Sequence, residues 1–238
     1  MNIPNTLIMT ATYNEAENIG SLIKDIFSLR KDCHILVVDD NSPDGTGSIV
    51  NKMMESDSRL HIIERPGKMG YGTAYIEGFL WALKRKNYEY IISMDSDYSH
   101  HPSYIEDMLH KIKTCDVVIG SRYIRGGDTV NWGLHRKVLS RSANIYSKMV
   151  LNIPVNDCTS GFRCYRREIV ERIDFSKIKS NGYSFLEEIL YCCKLLNASF
   201  GEVPIIFKDR EMGKSKINKN EIFKAILMVP YLRITGRR

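Results

Sequence analysis

The 238-residue chain lacks most of the features that would place it outside the ordinary globular proteins. No uncharged apolar stretch approaches the ~20 residues of a membrane helix. The nearest, Ala225 to Leu232, is short and holds Pro230. The first residues, MNIPNTLIMTATYNE, carry no basic stretch, apolar core and small-residue cleavage site, so no secretory leader is expected. Cysteine is sparse and unpatterned. Cys192 and Cys193 are adjacent, while Cys33, Cys115, Cys158 and Cys164 are scattered among apolar residues, and no C-x-x-C pair occurs. Disulfides and a zinc site are therefore not expected, and reduced core thiols in a reducing, cytosolic compartment are.

Several catalytic signatures are missing too. The turn after the first apolar run, Ala11-Thr12-Tyr13-Asn14-Glu15, has no glycine, which argues against a nicotinamide-binding unit. Gly213-Lys214-Ser215 ends like a phosphate-binding loop, but the glycine required five positions earlier is Lys208. No G-x-S-x-G elbow and no H-E-x-x-H is present, so hydrolase and zincin readings lack support.

What is present is a globular composition, 43% hydrophobic and 26% charged. Thirty-four basic against 28 acidic residues give +6, and Val203 to Arg238, with nine basic and three acidic, accounts for the whole excess. Such end-loaded charge suits phosphate groups or an anionic surface, a solvated tail being the alternative.

Apolar runs at Thr6–Thr12, His34–Asp39, Leu60–Glu64, Tyr90–Asp95 and Asp116–Gly120 alternate with helical periodicity over Glu15–Leu29 and Gly70–Lys86. This predicts an open α/β fold with a parallel sheet covered on both faces, and ligands beyond the carboxyl ends of its strands. After Tyr123 the alternation stops. Arg125 to Asp128 reads as a loop, Leu134–Leu151 as a helix, Gly161–Tyr165 as a strand, Phe185–Leu196 as a helix and Ser199–Phe207 as a strand. A basic loop then leads to a last helix from about Lys219, which Pro230 should end or kink.

The Leu134–Leu151 helix is amphipathic. Val138, Leu139, Ile145, Tyr146, Met149 and Val150 fall on one side, and Arg136, Lys137, Ser140, Arg141, Asn144, Ser147 and Lys148 on the other. Its apolar stripe is expected to face a membrane; packing on the protein's own core is the competing reading.

Carboxylates close two of the strand runs, Asp39-Asp40 after His34–Val38 and Asp95-Ser96-Asp97 after Tyr90–Met94. Such groups are costly beside buried strands unless a cation or donors meet them. Either pair alone suits a helix cap. Together they suit magnesium or manganese with a nucleoside diphosphate opposite.

These residues carry a resemblance. Thr12-Tyr13-Asn14-Glu15, Val38 to Thr46, Gly70-Tyr71-Gly72-Thr73-Ala74 and Asp95-Ser96-Asp97 with His100-His101-Pro102 are similar to the inverting family-two glycosyltransferases of GT-A fold. Gly120-Ser121-Arg122-Tyr123, Asn131-Trp132 with Arg136 and Ser140, Asp157 to Arg163, and Phe207 to Lys216 resemble, within that family, the polyprenol-phosphate (dolichol-phosphate) mannose synthases. The likeness runs from Leu7 to about Ile222.

The resemblance implies a Rossmann-like open mixed sheet flanked by helices, with an interfacial amphipathic helix and a basic C-terminal helix. It implies one catalytic domain over 1–238, with a nucleotide-sugar half at 6–123 and a lipid-phosphate half at 124–238. Ala11, Thr12, Tyr13, Glu15, Asp39, Asp40, Lys68, Gly70, Asp95 and Ser96 would bind the donor. Asp95, Asp97 and Ser99 would hold Mg2+ or Mn2+. Arg122, Arg136, Ser140, Arg210 and Lys216 would bind the acceptor phosphate, and Asp97, Arg122 and Arg210 would be catalytic. Two departures, Ala11 for the usual proline and Ser96 for the usual alanine, leave the carboxylates untouched.

The implied donor is GDP-mannose and the acceptor a polyprenyl or dolichyl phosphate, met at the cytosolic face of a membrane. That membrane would be the endoplasmic reticulum of a eukaryote or the plasma membrane of a prokaryote, with a small membrane-embedded subunit as one route to the lipid and no nucleic acid as partner. UDP-glucose as donor, a soluble acceptor, and a non-catalytic sugar-nucleotide-binding subunit remain the alternatives.

Overall fold

The structure, a computed structural model, describes residues 6–85, 87–209 and 219–236, with residues 219–223 described by their backbone alone. Arg210 and Lys216 lie outside the described residues.

In chain order the elements are β1 (Thr6–Thr12), α1 (Ala16–Leu29), β2 (Cys33–Asp39), α2 (Thr46–Met54), β3 (Leu60–Glu64), α3 (Tyr71–Leu83) and β4 (Tyr90–Ser93). A 3-10 turn at Pro102–Tyr104 leads into α4 (Ile105–Lys111), followed by β5 (Val117–Ser121), β6 (Asp128–Val130), α5 (Leu134–Leu151), β7 (Arg163–Arg166) and α6 (Arg167–Glu171). The chain continues through α7 (Phe185–Leu195), β8 (Phe200–Pro204), β9 (Ile206–Lys208) and α8 (Lys219–Thr235).

Seven strands form one open sheet in the order β3-β2-β1-β4-β7-β5-β8. Alternate residues of each strand face opposite layers. Leu7, Met9, Leu36 and Val38 pack with α3 and α7 on one face, while Ile8, Ile35, Val37 and Ile92 pack with α1 and α4 on the other. Alternation predicted a parallel sheet and the resemblance a mixed one; the sheet is mixed, with β7 lying antiparallel between β4 and β5. β7 returns after β6 and the long α5, where the alternation of strand and helix has already stopped.

Three further corrections have local causes. The β4 strand stops at Ser93 rather than Asp95, because the Asp95 amide leaves the ladder to donate to His100 Nδ1 at 3.0 Å. The single strand expected over Ser199–Phe207 is two, since the chain follows β5 as far as Pro204 and from Ile206 pairs with β6 instead. The Asp128 end of the expected loop instead begins β6, which pairs in parallel with β9 as a second, two-stranded sheet. The last helix, finally, does not end at Pro230.

All six cysteines are free. Among the described residues no helix is long and apolar enough to cross a membrane.

Candidate active site

The strand order reverses direction of growth between β1 and β4, and a cleft of about 450 Å³ opens at the carboxyl ends there. Ala11, Thr12, Tyr13, Glu15, Asp40, Lys68, Gly70, Asp95, Ser96, Asp97, Ser99 and Arg136, twelve of the residues singled out in the sequence, line it.

At the β2 end, Asp39 is committed to its own loop. It accepts from Thr12 Oγ1 at 2.7 Å and from the amide and hydroxyl of Ser42 at 2.8 and 2.6 Å. Asp39 shapes the cleft floor and is not among the lining residues. Asp40 is 6% exposed and meets Arg65 Nη1 at 2.8 Å, while the Met69 amide donates to it at 3.2 Å. Burial pushes the Asp40 carboxyl above its ordinary value, against the pull of Arg65. Arg65 also donates to Thr73 Oγ1 at 2.6 Å, so this buried pair ties the end of β2 to the start of α3 and holds Lys68, Met69 and Gly70 as one wall. The Lys68 ammonium stands 4.7 Å over the Tyr13 ring, which puts a cation beside an aromatic face at the cleft.

The opposite wall is a strap that sequence reasoning missed. The Lys179 and Ser180 amides donate to buried Glu188 at 2.9 and 2.7 Å, and the Gly72 amide donates to the Asn181 carbonyl at 3.0 Å. Asn181, Gly182 and Tyr183 thereby line the cleft, with Tyr183 stacked on Tyr71 at 4.9 Å. Gly70 is what permits this: its φ is +112°, and a Cβ there would lie 2.4 Å from the Asn181 carbonyl oxygen. The turn-forming Ser180-Asn181-Gly182 is visible in the sequence, but nothing in it points to β1, more than 160 positions earlier.

The carboxylates after β4 are held from both sides. Tyr71 donates to Asp95 Oδ1 at 3.3 Å, and Ser99 donates through amide and hydroxyl to Asp97 Oδ1. His100 is 1% exposed, and its Nδ1 accepts the Asp95 amide. Burial lowers its pKa, and because Nδ1 already accepts the Asp95 amide hydrogen its 3.6 Å approach to the Asp95 carboxylate is not an ion pair. His101 caps the 3-10 turn by accepting the Ser103 amide. Two carboxylates and a serine hydroxyl form a hard-oxygen set, without thiolate or imidazole. Among the described residues no group of three or more His, Cys, Asp or Glu closes around a metal. This set fits a cation that takes one or two carboxylates and completes its shell with substrate phosphate oxygens and water.

The last wall belongs to the second half of the chain. Arg136 stacks over Trp132 at 4.1 Å and pairs with Asp209 at 2.5 Å; Phe207 lies edge-on to Trp132 at 5.4 Å. Trp132 thus braces the cleft wall between Arg136 and Phe207. Behind it Arg122, 8% exposed, grips Asp157 through Nε and Nη2, both at 2.7 Å, and donates to Thr159 Oγ1. Burial opposes ionisation of Asp157, but the Arg122 charge and hydrogen bonds outweigh it and hold the carboxyl below its ordinary value. Ser140 accepts from the Tyr123 hydroxyl at 2.7 Å. Neither Arg122 nor Ser140 lines the cleft.

The family model for Glycosyl transferase family 2 matches residues 7–174. The chain is 41% identical over 236 residues to the polyprenol monophosphomannose synthase of Mycolicibacterium smegmatis, covering 98% of this chain and 88% of that one. It is 37% identical over 231 residues to the undecaprenyl-phosphate mannosyltransferase of Micrococcus luteus, covering 97% and 95%. Among solved structures, a mannosyltransferase from Pyrobaculum calidifontis in complex with GDP-Man and Mn2+ matches with a TM-score of 0.63 at 17% identity, over 99% of this chain and 65% of that longer one. Glucosyl-3-phosphoglycerate synthase from Mycobacterium tuberculosis, in complex with Mn2+ and UDP-Glc, matches at 0.67 and 16% identity, over 97% and 79%. The two structures show that the fold is GT-A-like, and the family match over most of the chain shows that it is a glycosyltransferase belonging to glycosyl transferase family 2.

Proposed function

We propose that the protein transfers mannose from GDP-mannose to the phosphate of a polyprenyl lipid, inverting the anomeric centre to give polyprenyl-phosphate β-mannose. The observation that carries this reading is the single cleft that joins Asp95 and Asp97 on one wall to Arg136 on another, beside a helix whose outward face is apolar. The two relatives named for polyprenyl-phosphate mannosyl transfer support it over nearly their full lengths.

In this reading Tyr13 and Lys68 receive the nucleotide, and Asp95, Asp97 and Ser99 hold Mg2+ or Mn2+. The bound cation would supply Lewis-acid stabilisation to the departing nucleoside diphosphate. The acceptor is a phosphate monoester with a second pKa of about 6, already largely dianionic at neutral pH, so no strong general base is required. Positioning carries the catalysis: Arg136 orients the anionic nucleophile, while Arg122, whose charge is met by Asp157, holds the wall behind it. The roles of Arg210 and Lys216 rest on the resemblance alone.

The exposed faces of α5 and α8 support attachment to a membrane surface. Leu134, Val138, Leu139, Ile145 and Met149 on α5 are exposed, as are Ile226, Leu227, Tyr231 and Ile234 on α8. The buried residues of α5 are Asn144, Ser147 and Leu151, so most of the apolar stripe stands off the core. Tyr146 departs from the stripe and packs against α8. Exposed Arg141 beside these side chains suits anionic headgroups, and peripheral binding at the cytosolic face is the arrangement proposed. The same face would also receive a small membrane-embedded subunit.

Acceptor choice tests the proposal. Labelled mannose should pass to a polyprenyl phosphate and not to the matching polyprenol. Equal transfer to the alcohol, or to a soluble mannoside, would overturn it.

A further inference from the structure

Tyr71 opens α3, lines the cleft and donates its hydroxyl hydrogen to Asp95 Oδ1 at 3.3 Å. We infer that Tyr71 is a positioning residue that fixes the Asp95 carboxylate for the cation and makes cation binding depend on the strap at residues 181–183, on which its ring is stacked. The inference rests on the reading above, in which Asp95 holds Mg2+ or Mn2+.

Three observations carry it. First, the ring is clamped by two segments far apart in the chain: Tyr75 of the same helix lies 4.8 Å from it at 54°, and Tyr183 of the strap stacks on it at 4.9 Å and 24°. The strap is itself fixed, by Glu188 accepting the Lys179 and Ser180 amides and by the Gly72 amide donating to the Asn181 carbonyl. Second, the backbone is cleared for the contact. A Cβ at Gly161 would lie 2.6 Å from the Tyr71 hydroxyl oxygen and 3.4 Å from Asp95 Oδ1, and Ser93 Oγ holds the Gly161 carbonyl at 2.8 Å, so only a glycine at that place lets donor and acceptor meet. Third, the main chain at Asp95 is already set. Tyr75 donates to the Met94 carbonyl at 2.8 Å and the Asp95 amide to His100 Nδ1 at 3.0 Å, which leaves the side-chain torsion for Tyr71 to hold. Asp97, by contrast, is tied within its own loop by Ser99.

The consequence is preorganisation. A carboxylate already held in one orientation loses less freedom when a cation binds, so its hydroxyl partner raises cation affinity without touching the cation. Because the Tyr71 ring leans on Tyr183, a displacement of the strap reaches Asp95 through one stacking contact and one hydrogen bond. The nucleotide is received in this reading by Tyr13 and Lys68, whose contact with each other does not involve the Tyr71 hydroxyl. A change confined to that hydroxyl is therefore felt by the cation and not by the bare nucleotide.

The test uses the whole chain. Free Mn2+ is followed by electron paramagnetic resonance as the metal is titrated into protein saturated with GDP, and GDP is titrated calorimetrically without metal. Tyr71→Phe keeps the ring and removes the hydroxyl. It is expected to weaken Mn2+ binding about fivefold, a modest loss because 3.3 Å is long for a hydroxyl on a carboxylate, and to leave metal-free GDP binding unchanged. Tyr183→Ala should weaken Mn2+ binding in the native background and add little in Tyr71→Phe. Native Mn2+ affinity in Tyr71→Phe, with the fold intact by circular dichroism, would overturn the inference. So would an equal loss of GDP binding with and without Mn2+, which marks a general structural role, and equal effects of Tyr183→Ala in both backgrounds, which break the link to the strap. Asp95→Asn separates the two levels. If it loses Mn2+ binding while Tyr71→Phe keeps it, the positioning role fails and the cation site stands. If Asp95→Asn binds Mn2+ as the native protein does, or the native protein binds none, the cation assignment itself fails, and the inference with it.

Discussion

Tyr146 on α5 donates its hydroxyl hydrogen to the carbonyl of Ile226 on α8 at 2.9 Å, and Ile226 is the residue whose carbonyl Pro230 cannot serve. An amide at position 230 would donate four residues back; proline has none. The neighbouring helix supplies the missing donor, which is why α8 runs through Pro230 to Thr235.

Tyr146→Phe should therefore lower stability by about 1 kcal/mol, a shift of roughly 2–4 °C in melting temperature for a chain of this size. In a Pro230→Ala background the helix regains its own donor, and the same substitution should cost less. Equal costs in both backgrounds by thermal denaturation would show that the two sites are uncoupled.

How much of this was legible in the sequence differs by element. The first-half strands were, because apolar periodicity and burial coincide there; α5 was legible from its helical period alone, and its span Leu134–Leu151 agrees with the structure although most of its apolar stripe is exposed. The strand-end carboxylates and the Tyr13 turn were readable because an open sheet sends ligands to the carboxyl ends. What stayed hidden depends on contacts between distant segments: the antiparallel β7, the Asn181–Tyr183 strap held by Glu188, the Asp157 clamp on Arg122 and the Asp209 pair with Arg136. Short α2, α4 and α6 were passed over because two turns of helix carry little periodicity.

Asp97→Asn should abolish divalent-cation-dependent binding of a nucleoside diphosphate, since the hard-oxygen set after β4 loses one of its two charges. Titration of GDP with and without Mg2+ or Mn2+ reads this directly. Retained cation dependence in the variant would place the metal elsewhere.

Acid should weaken the fold through the edge of the sheet. His34 Nδ1 lies 2.9 Å from both His61 Nε2 and the Tyr88 hydroxyl, and burial, with His34 and Arg85 adding to it, lowers His61 to about 4. A depressed histidine contributes stability that is present above its unfolded value of about 6.5 and lost as pH falls towards its folded value. The melting temperature should fall between pH 6.5 and 4, and His61→Gln should flatten that fall by a few degrees. An identical pH profile for the variant would remove His61 as the cause.

Val138→Asp should leave folding intact, because the side chain is 57% exposed, yet release the protein from anionic liposomes. Sedimentation with vesicles checks the second effect and thermal denaturation the first. Unfolding without lipid would mean that the stripe belongs to the core, and unchanged sedimentation would move attachment to another surface.

The most direct measurement of the central claim is to incubate the protein with a polyprenyl phosphate and radiolabelled GDP-mannose, then count label in the organic phase with and without a chelator. The account predicts organic-phase label from GDP-mannose that requires Mg2+ or Mn2+ and disappears in EDTA. Label that stays in the aqueous phase, or that enters the lipid only from UDP-glucose, would contradict it.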